Sequence, residues 1–122
     1  LSTHSAWLFS SLVLGCGERS SGSGRVIAGL QAELFTAVQR NDLAAARALN
    51  DRIHPLADVF YAAPAVDMHN RMKEALVLLG KLECAAVRPP LVKISAAEIA
   101  RIEAALVNAG LLDASARRAA AE

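Results

Sequence analysis

The sequence has little that would support a β-rich fold or a nucleic-acid partner. Aromatic residues make up only 4% of the 122 residues, and Ala and Leu supply most of the 54% that is apolar. Because Ala and Leu lose little conformational freedom in a helix, this composition favours helices in a single domain. The 13 basic and 12 acidic residues nearly cancel, so no basic surplus exists to neutralise phosphates, and we predict no nucleic-acid partner.

Cysteine and histidine are also scarce, and their spacing does not indicate a metal centre. Cys16 and Cys84 lie far apart in the sequence, and the three histidines show neither an H-x-x-x-H nor a C-x-x-C pattern. We therefore predict no metal site and no other cofactor. Two thiols in the reducing cytoplasm are the favoured interpretation, with a disulfide or a metal pair as the alternative.

An apolar stretch near the start, residues 6–14, is too short to span a bilayer. The Val-Leu-Gly-Cys string at 13–16 imitates a lipoprotein cleavage site, but no Lys or Arg precedes the stretch as a signal peptide requires. We therefore predict a cytoplasmic protein with no membrane partner. The stretch is expected to form a short buried helix, capped by Ser2 or Thr3 and ended by Gly15. Because the first residue is Leu rather than Met, we expect the chain to have been cut from a longer one.

Further helices are predicted from apolar residues spaced three and four positions apart. They cover residues 25–40, 43–62, 68–79 and the segment that follows Ser95. Asn41 is expected to end the first in a left-handed turn, and Asp42 to cap the second. The predicted inward side chains are Val26, Ile27, Leu30, Leu34, Phe35 and Val38; Leu49, Ile53, Leu56 and Phe60; Met68, Met72, Leu76 and Leu79; and Ile99, Ile102, Leu106 and Val107.

Proline and glycine mark where these helices stop. Pro55 is expected to kink or break the second helix near residues 51–54, because proline removes a backbone hydrogen bond and crowds the preceding turn. Pro64 marks the boundary before the third helix. Gly80 and Gly110 are expected to end the third and the last helix.

Two segments are predicted to be non-helical. Residues 84–94 contain a Pro-Pro pair and are expected to be extended, after which Ser95 and Glu98 form a capping box. Residues 15–24 are rich in glycine and serine and are expected to form a loop or a weak strand.

Three strings, in this order, resemble the C-terminal third of the dihydrodipicolinate synthase and N-acetylneuraminate lyase family. They are N-D-L-A-A-A-R-A-L-N-D-R-I-H-P-L at 41–56, K-E-A-L-V-L-L-G at 73–80 and V-R-P-P-L at 87–91. The resemblance runs over residues 1–112. It implies a mainly α chain, namely the C-terminal fragment of a (β/α)₈ TIM barrel, from the end of strand seven to helix eight, plus a helical C-terminal extension. The implied divisions are a barrel remnant at 1–40, the extension at 41–112 and a frayed tail at 113–122.

The resemblance also assigns a substrate contact. Family members line their pyruvate pocket with the backbone of strand eight, which corresponds to residues 15–24, so Ser21 and Gly22 are the predicted substrate-binding residues. Glu18 and Arg19 stand where the family has small apolar residues, and an unpaired charge in a barrel wall is costly. We therefore predict that 15–24 is not a well-paired strand, and that the apolar helices beside it cause self-association.

In the family, a lysine forms an imine with the keto group of the substrate, and a tyrosine relays protons. Both would precede Leu1, and Lys73, Lys81, Lys93 and Tyr61 do not match them, so we predict no catalytic residue in this chain. The resemblance implies the C-terminal portion of a pyruvate-dependent lyase or aldolase that is inactive alone. A 2-keto acid such as pyruvate would be a substrate only of the intact protein. The alternative function is a non-enzymatic helical interaction module.

Overall fold

The computed structural model describes residues 4–113 and is mainly helical, as the composition predicts. The predicted caps Ser2 and Thr3, and the predicted tail after Asp113, lie outside the described residues. The α-helices are α1 (Leu8–Val13), α2 (Gly24–Gln39), α3 (Leu43–Phe60), α4 (Met68–Leu78) and α5 (Ala96–Asn108). A 3₁₀ turn, Ser5–Trp7, precedes α1, and another, Ala65–Asp67, precedes α4.

Capping and termination signals in the sequence end the longer helices at the predicted positions. Asn41 adopts a φ of 57°, and the Asp42 carboxylate accepts a hydrogen bond from the Ala45 amide at 3.0 Å, so α2 ends and α3 begins within two residues. Gly80 and Gly110 both have positive φ and follow α4 and α5. These predictions are confirmed.

The predicted break at Pro55 is wrong, because α3 continues through it to Phe60. Pro55 is exposed, so the carbonyl that loses its intrahelical donor can be hydrated by water. The opposite side of α3 buries Ile53, Leu56 and Phe60 completely, and this packing holds the helix in one piece.

The core lies where α3 packs between its neighbours. Leu30 and Leu34 from α2 meet α3 on one side, and Ile102 and Leu106 from α5 meet it on the other. All four side chains are buried. Because each helix contributes an apolar stripe to this centre, α3 is the element on which the positions of α2, α4 and α5 depend.

The first helix is capped and oriented differently from the prediction. His4, through Nδ1, accepts a hydrogen bond from the Ala6 amide at 3.2 Å and caps the 3₁₀ turn. Leu8 and Leu12 are buried against the core, but Trp7 is 67% exposed. The apolar stretch at 6–14 is therefore buried only in part, because Trp7 lies largely in solvent.

The two segments predicted to be non-helical contain no helix except at Gly24, where α2 begins. Residues 15–21 form no strand, and Arg19 forms an isolated β-bridge. Residues 82–95 form neither helix nor strand, and they contain a bend at Glu83 and a turn at Pro89-Pro90. None of the described helices is both long enough and apolar enough to cross a bilayer.

Half of the predicted capping box is present at the start of α5. The Ser95 hydroxyl accepts a hydrogen bond from the Glu98 amide at 3.2 Å. The Glu98 carboxylate, which the capping box would return to the Ser95 amide, instead accepts from Arg71 on α4. A buried arginine offers the carboxylate a charge-assisted bond, which is stronger than one to a backbone amide.

Candidate functional site

The structure places the two predicted substrate-binding residues on different surfaces of one turn. Ser21 is half-buried and turns its hydroxyl inward, to a group of polar side chains behind α2. Gly22 is exposed and lies on the wall of a cavity between α2 and α4. The sequence predicted one site here, whereas the structure has two neighbouring features.

The inward feature is a hydroxyl cluster made of Ser5, Ser21, Ser23, Tyr61 and the amide of Gln31. Ser5 and Ser23 are completely buried, and their hydroxyl oxygens are within hydrogen-bonding distance of each other. The Ser21 hydroxyl is 2.9 Å from each of them. The Gln31 amide donates to Ser5 at 3.1 Å and to Ser23 at 3.2 Å. These bonds join the turn before α1, the turn before α2 and α2 itself.

Tyr61 closes the cluster on its outer side. Its hydroxyl is 3.2 Å from the Ser21 hydroxyl, and its ring lies against the ring of His4, with centroids 3.9 Å apart. Because His4 Nδ1 already accepts a hydrogen bond from the Ala6 amide, His4 contacts Tyr61 through the face of its ring. The three serine hydroxyls find their hydrogen-bond partners in one another and in the Gln31 amide. The cluster therefore fixes the position of residues 21–23.

Replacing Gln31 by methionine should lower the free energy of unfolding by about 1–3 kcal/mol, because two buried hydroxyls lose their amide donor. The matched control is Gln39→Met, at an exposed position on the same helix, which should change stability by less than about 0.5 kcal/mol. Urea unfolding followed by circular dichroism measures both. Equal effects of the two substitutions would show that the cluster contributes nothing to stability.

The outward feature is a cavity of about 450 Å³, which we term the basic cavity. Gly22 and Arg25 line it from the turn before α2 and from the first turn of that helix, and Leu82 lines it from the segment after α4. α4 itself contributes His69, Met72, Lys73 and Leu76. These four residues are spaced i, i+3, i+4 and i+7, so they form one continuous stripe along the helix.

This stripe includes residues that the sequence analysis assigned to the core. Met72 is buried in the core, and Met68, Leu76 and Leu79 are half-buried and pack against it, so the predicted inward face of α4 is confirmed in part. The buried side of the helix also carries Asn70, Arg71, Glu74 and Ala75. Three of these four are polar or charged, and hydrophobic periodicity did not predict that they would be buried.

Arg71 explains how a polar face can be buried. Its side chain is 2% exposed, and Nε donates to the Glu98 carboxylate at 3.1 Å. The remaining nitrogens donate to the carbonyls of Ala62, Ala63 and Pro64 at 2.7–3.3 Å, just beyond the end of α3. One guanidinium thus joins α4 to α5 and caps the end of α3, which the sequence analysis did not anticipate.

The three lysines take ordinary positions. The Lys73 ammonium donates to the Ala86 carbonyl at 2.6 Å, and Lys81 and Lys93 are exposed. Among residues 4–113, no three His, Cys, Asp or Glu side chains are grouped so as to hold a metal ion. The Cys16 thiol donates to the Glu18 carbonyl at 2.9 Å, and Cys84 is exposed.

Comparison with known proteins relates part of the chain to one enzyme family. Over 81 residues, 66% of the chain, the sequence is 37% identical to the 4-hydroxy-tetrahydrodipicolinate synthase of Rhodopseudomonas palustris (strain BisA53). The matched part spans 26% of that protein. No family model matches the sequence. The similarity supports a modest relationship, over part of the chain, to the dihydrodipicolinate synthase family.

Proposed function

We propose that the chain is the C-terminal portion of a pyruvate-dependent lyase of the 4-hydroxy-tetrahydrodipicolinate synthase type. The identity over 81 residues to such a synthase carries the proposal. The order of the helices supports it, because the left-handed Asn41, the capped α3, α4 and the non-helical Val-Arg-Pro-Pro-Leu segment follow one another in the order that the resemblance implies. In this proposal residues 1–40 are what remains of the barrel, and residues 41–112 are the helical extension.

The proposed chemistry belongs to the intact, cytoplasmic protein and needs no cofactor. An upstream lysine would form the imine with a 2-keto acid such as pyruvate, and an upstream tyrosine would move protons. Gly22 would lie closest to the substrate, since it is exposed, while Ser21 would hold the turn in place through the hydroxyl cluster. The residues of this chain would thus complete the substrate pocket, and residues of the upstream barrel would make and break the covalent bonds.

A chimera tests the proposal. The matched quarter of the Rhodopseudomonas palustris synthase is replaced by the 81 aligned residues of this chain, and synthase turnover is measured. We expect a folded chimera that retains turnover within about tenfold of the parent, because those residues support the barrel but do not react. A control carries an unrelated helical segment of equal length. A chimera that folds like the parent but has no more turnover than this control would contradict the proposal.

The chain by itself should form no adduct with pyruvate that borohydride can trap. Lys81 and Lys93 are exposed and lie outside the helices, while Lys73 on α4 bonds to a backbone carbonyl, and none of the three is buried as an imine-forming amine needs to be at neutral pH. Mass spectrometry after reduction checks this, with the intact Rhodopseudomonas palustris synthase treated in parallel. A stoichiometric adduct on a single lysine of the isolated chain would show that it is catalytically competent alone.

The second candidate is a non-enzymatic helical interaction module. Trp7 and Leu14 are 67% and 87% exposed, and Val13 between them is also exposed, so α1 and its flanks present apolar side chains to solvent. Such a surface suits a partner chain or a second copy. Light scattering on the wild type and on the Leu14→Ser variant tests this candidate. If the chain is a self-associating module, the substitution lowers the average mass of the particles in solution. The turnover of the chimera tests the first candidate separately, because it depends on contacts with the barrel.

A further inference from the structure

The apolar stripe of α4 lies at the boundary between the core and the basic cavity. Its inward face is occupied by the bonded groups of Asn70 and Arg71, while Met72 and Leu76 border the basic cavity. Leu82, which is 41% exposed, continues this apolar surface beyond the helix. An apolar floor inside a cavity is stabilised when a ligand removes it from water.

The charged groups around this floor, Arg25 and Lys73, are both cationic. Arg25, His69 and Lys73 line the basic cavity, and none of the described residues that line it is acidic. The Arg25 side chain is exposed, and the Lys73 ammonium uses one of its three protons on the Ala86 carbonyl. Two donors therefore remain on Lys73, and five on Arg25, for an anion placed between α2 and α4.

We propose that the basic cavity binds a small organic monoanion with an apolar body, of the class of medium-chain carboxylates. The carboxylate lies between the Arg25 guanidinium and the Lys73 ammonium, and the apolar body lies along Met72, Leu76 and Leu82. The two cations favour an anionic group, and the apolar side chains that line the cavity favour an apolar body. The inference goes beyond the proposed function and does not rest on it, because pyruvate carries only a methyl group and fills little of about 450 Å³.

A small ligand fits this surface better than a protein partner does. Protein interfaces bury roughly 800 Å² on each side and are built on broad, nearly flat surfaces. The basic cavity is instead a pocket of about 450 Å³ between two helices, within the range of roughly 300–1,000 Å³ that small-molecule sites occupy. A second copy of the chain would also have to bring a carboxylate to the cations Arg25 and Lys73.

Octanoate is the probe, and its neutral isostere octanamide is the matched control. The full chain is titrated with each, while the methyl resonances of Met72 and Leu76 are followed by NMR. We expect saturable shifts of these methyls with octanoate, at least tenfold weaker binding of octanamide, and weaker octanoate binding at high salt, because the basic groups are near solvent.

Two substitutions test the two halves of the site. Arg25→Gln should weaken octanoate binding about tenfold by removing a charge-assisted bond, whereas Arg47→Gln, at an exposed position on α3, should leave it unchanged. Gly22→Leu should weaken binding at least tenfold by filling the cavity. A Cβ at Gly22 would lie 3.3 Å from Met72 Sδ and 3.4 Å from His69 Cε1, and Gly22 has no left-handed backbone that would resist the substitution. Thermal melts verify that each variant is folded.

Three results would overturn the proposal. They are the absence of saturable shifts at Met72 and Leu76, equal binding of octanoate and octanamide, and equal binding by the Arg25→Gln and Arg47→Gln variants. Concentration-dependent shifts of the same methyls without ligand would assign the cavity to a second copy of the chain and would overturn it too. None of these results bears on chimera turnover, so the two proposals fail separately.

Discussion

Replacing Arg71 by methionine should lower the free energy of unfolding by about 3–5 kcal/mol, because one substitution removes several hydrogen bonds that a buried, charged donor makes. Methionine keeps the apolar stem of the side chain but removes every donor. The carbonyls of Ala62, Ala63 and Pro64 then lose their hydrogen bonds to the guanidinium, and the Glu98 carboxylate loses its ion pair. Urea unfolding measures the loss.

Two controls separate the bonds of Arg71 from its charge. Arg47→Met, on the exposed side of α3, should change stability by less than about 0.5 kcal/mol. Glu98→Gln should have an effect well below that of Arg71→Met, since Glu98 is 31% exposed and glutamine still accepts a hydrogen bond. If Arg71→Met were as mild as Arg47→Met, the guanidinium would not hold the helices together.

Leu106→Ala should cost about 2–5 kcal/mol, whereas Leu76→Ala should cost about 1 kcal/mol. Leu106 is completely buried against α3, and truncation leaves a void that the rigid core cannot fill. Leu76 is half-buried beside the basic cavity, so truncation enlarges a space that solvent already enters. Differential scanning calorimetry of both variants measures the difference. Equal shifts in melting temperature would mean that Leu76 faces the core, as its periodicity in the sequence indicates.

The ends of the helices could be predicted because their signals are local. A left-handed Asn41, a capping Asp42 and the terminal glycines act within a few residues of where they stand, so one stretch of sequence contains the whole cause. The exception at Pro55 arises because the packing of Phe60 and Leu56 against distant helices outweighs a local preference.

The polar part of the buried face of α4 could not be predicted because its cause is not local. Asn70 and Arg71 are buried because they meet the Val92 carbonyl, the Glu98 carboxylate and the carbonyls after α3, and those partners are 7–27 residues away. Hydrophobic periodicity depends only on the positions of apolar side chains, so it cannot predict that a buried polar side chain will find hydrogen-bond partners. It therefore identified Met72 as buried but not Asn70 or Arg71.

The sequence singled out the turn at the candidate site but not the residues around it, and a substrate contact at Ser21 and Gly22 stays a prediction. The family resemblance singled out Ser21 and Gly22, and the structure places both at the turn where the hydroxyl cluster and the basic cavity meet. The partners that define these features were not predicted. Ser5 is 16 residues from Ser21, and Tyr61 is 40 residues from it, so no spacing motif connects them.

The position of Gly22 between Ser21 and Ser23 has an energetic consequence for binding. Both serine side chains are held in the hydroxyl cluster, so the wall of the cavity is anchored on either side of the exposed Gly22. A ligand that enters meets a surface that is already ordered, and little conformational entropy is lost in shaping it. Loosening the cluster with Gln31→Met should therefore weaken octanoate binding through a larger entropic cost, although no atom of Gln31 lines the cavity.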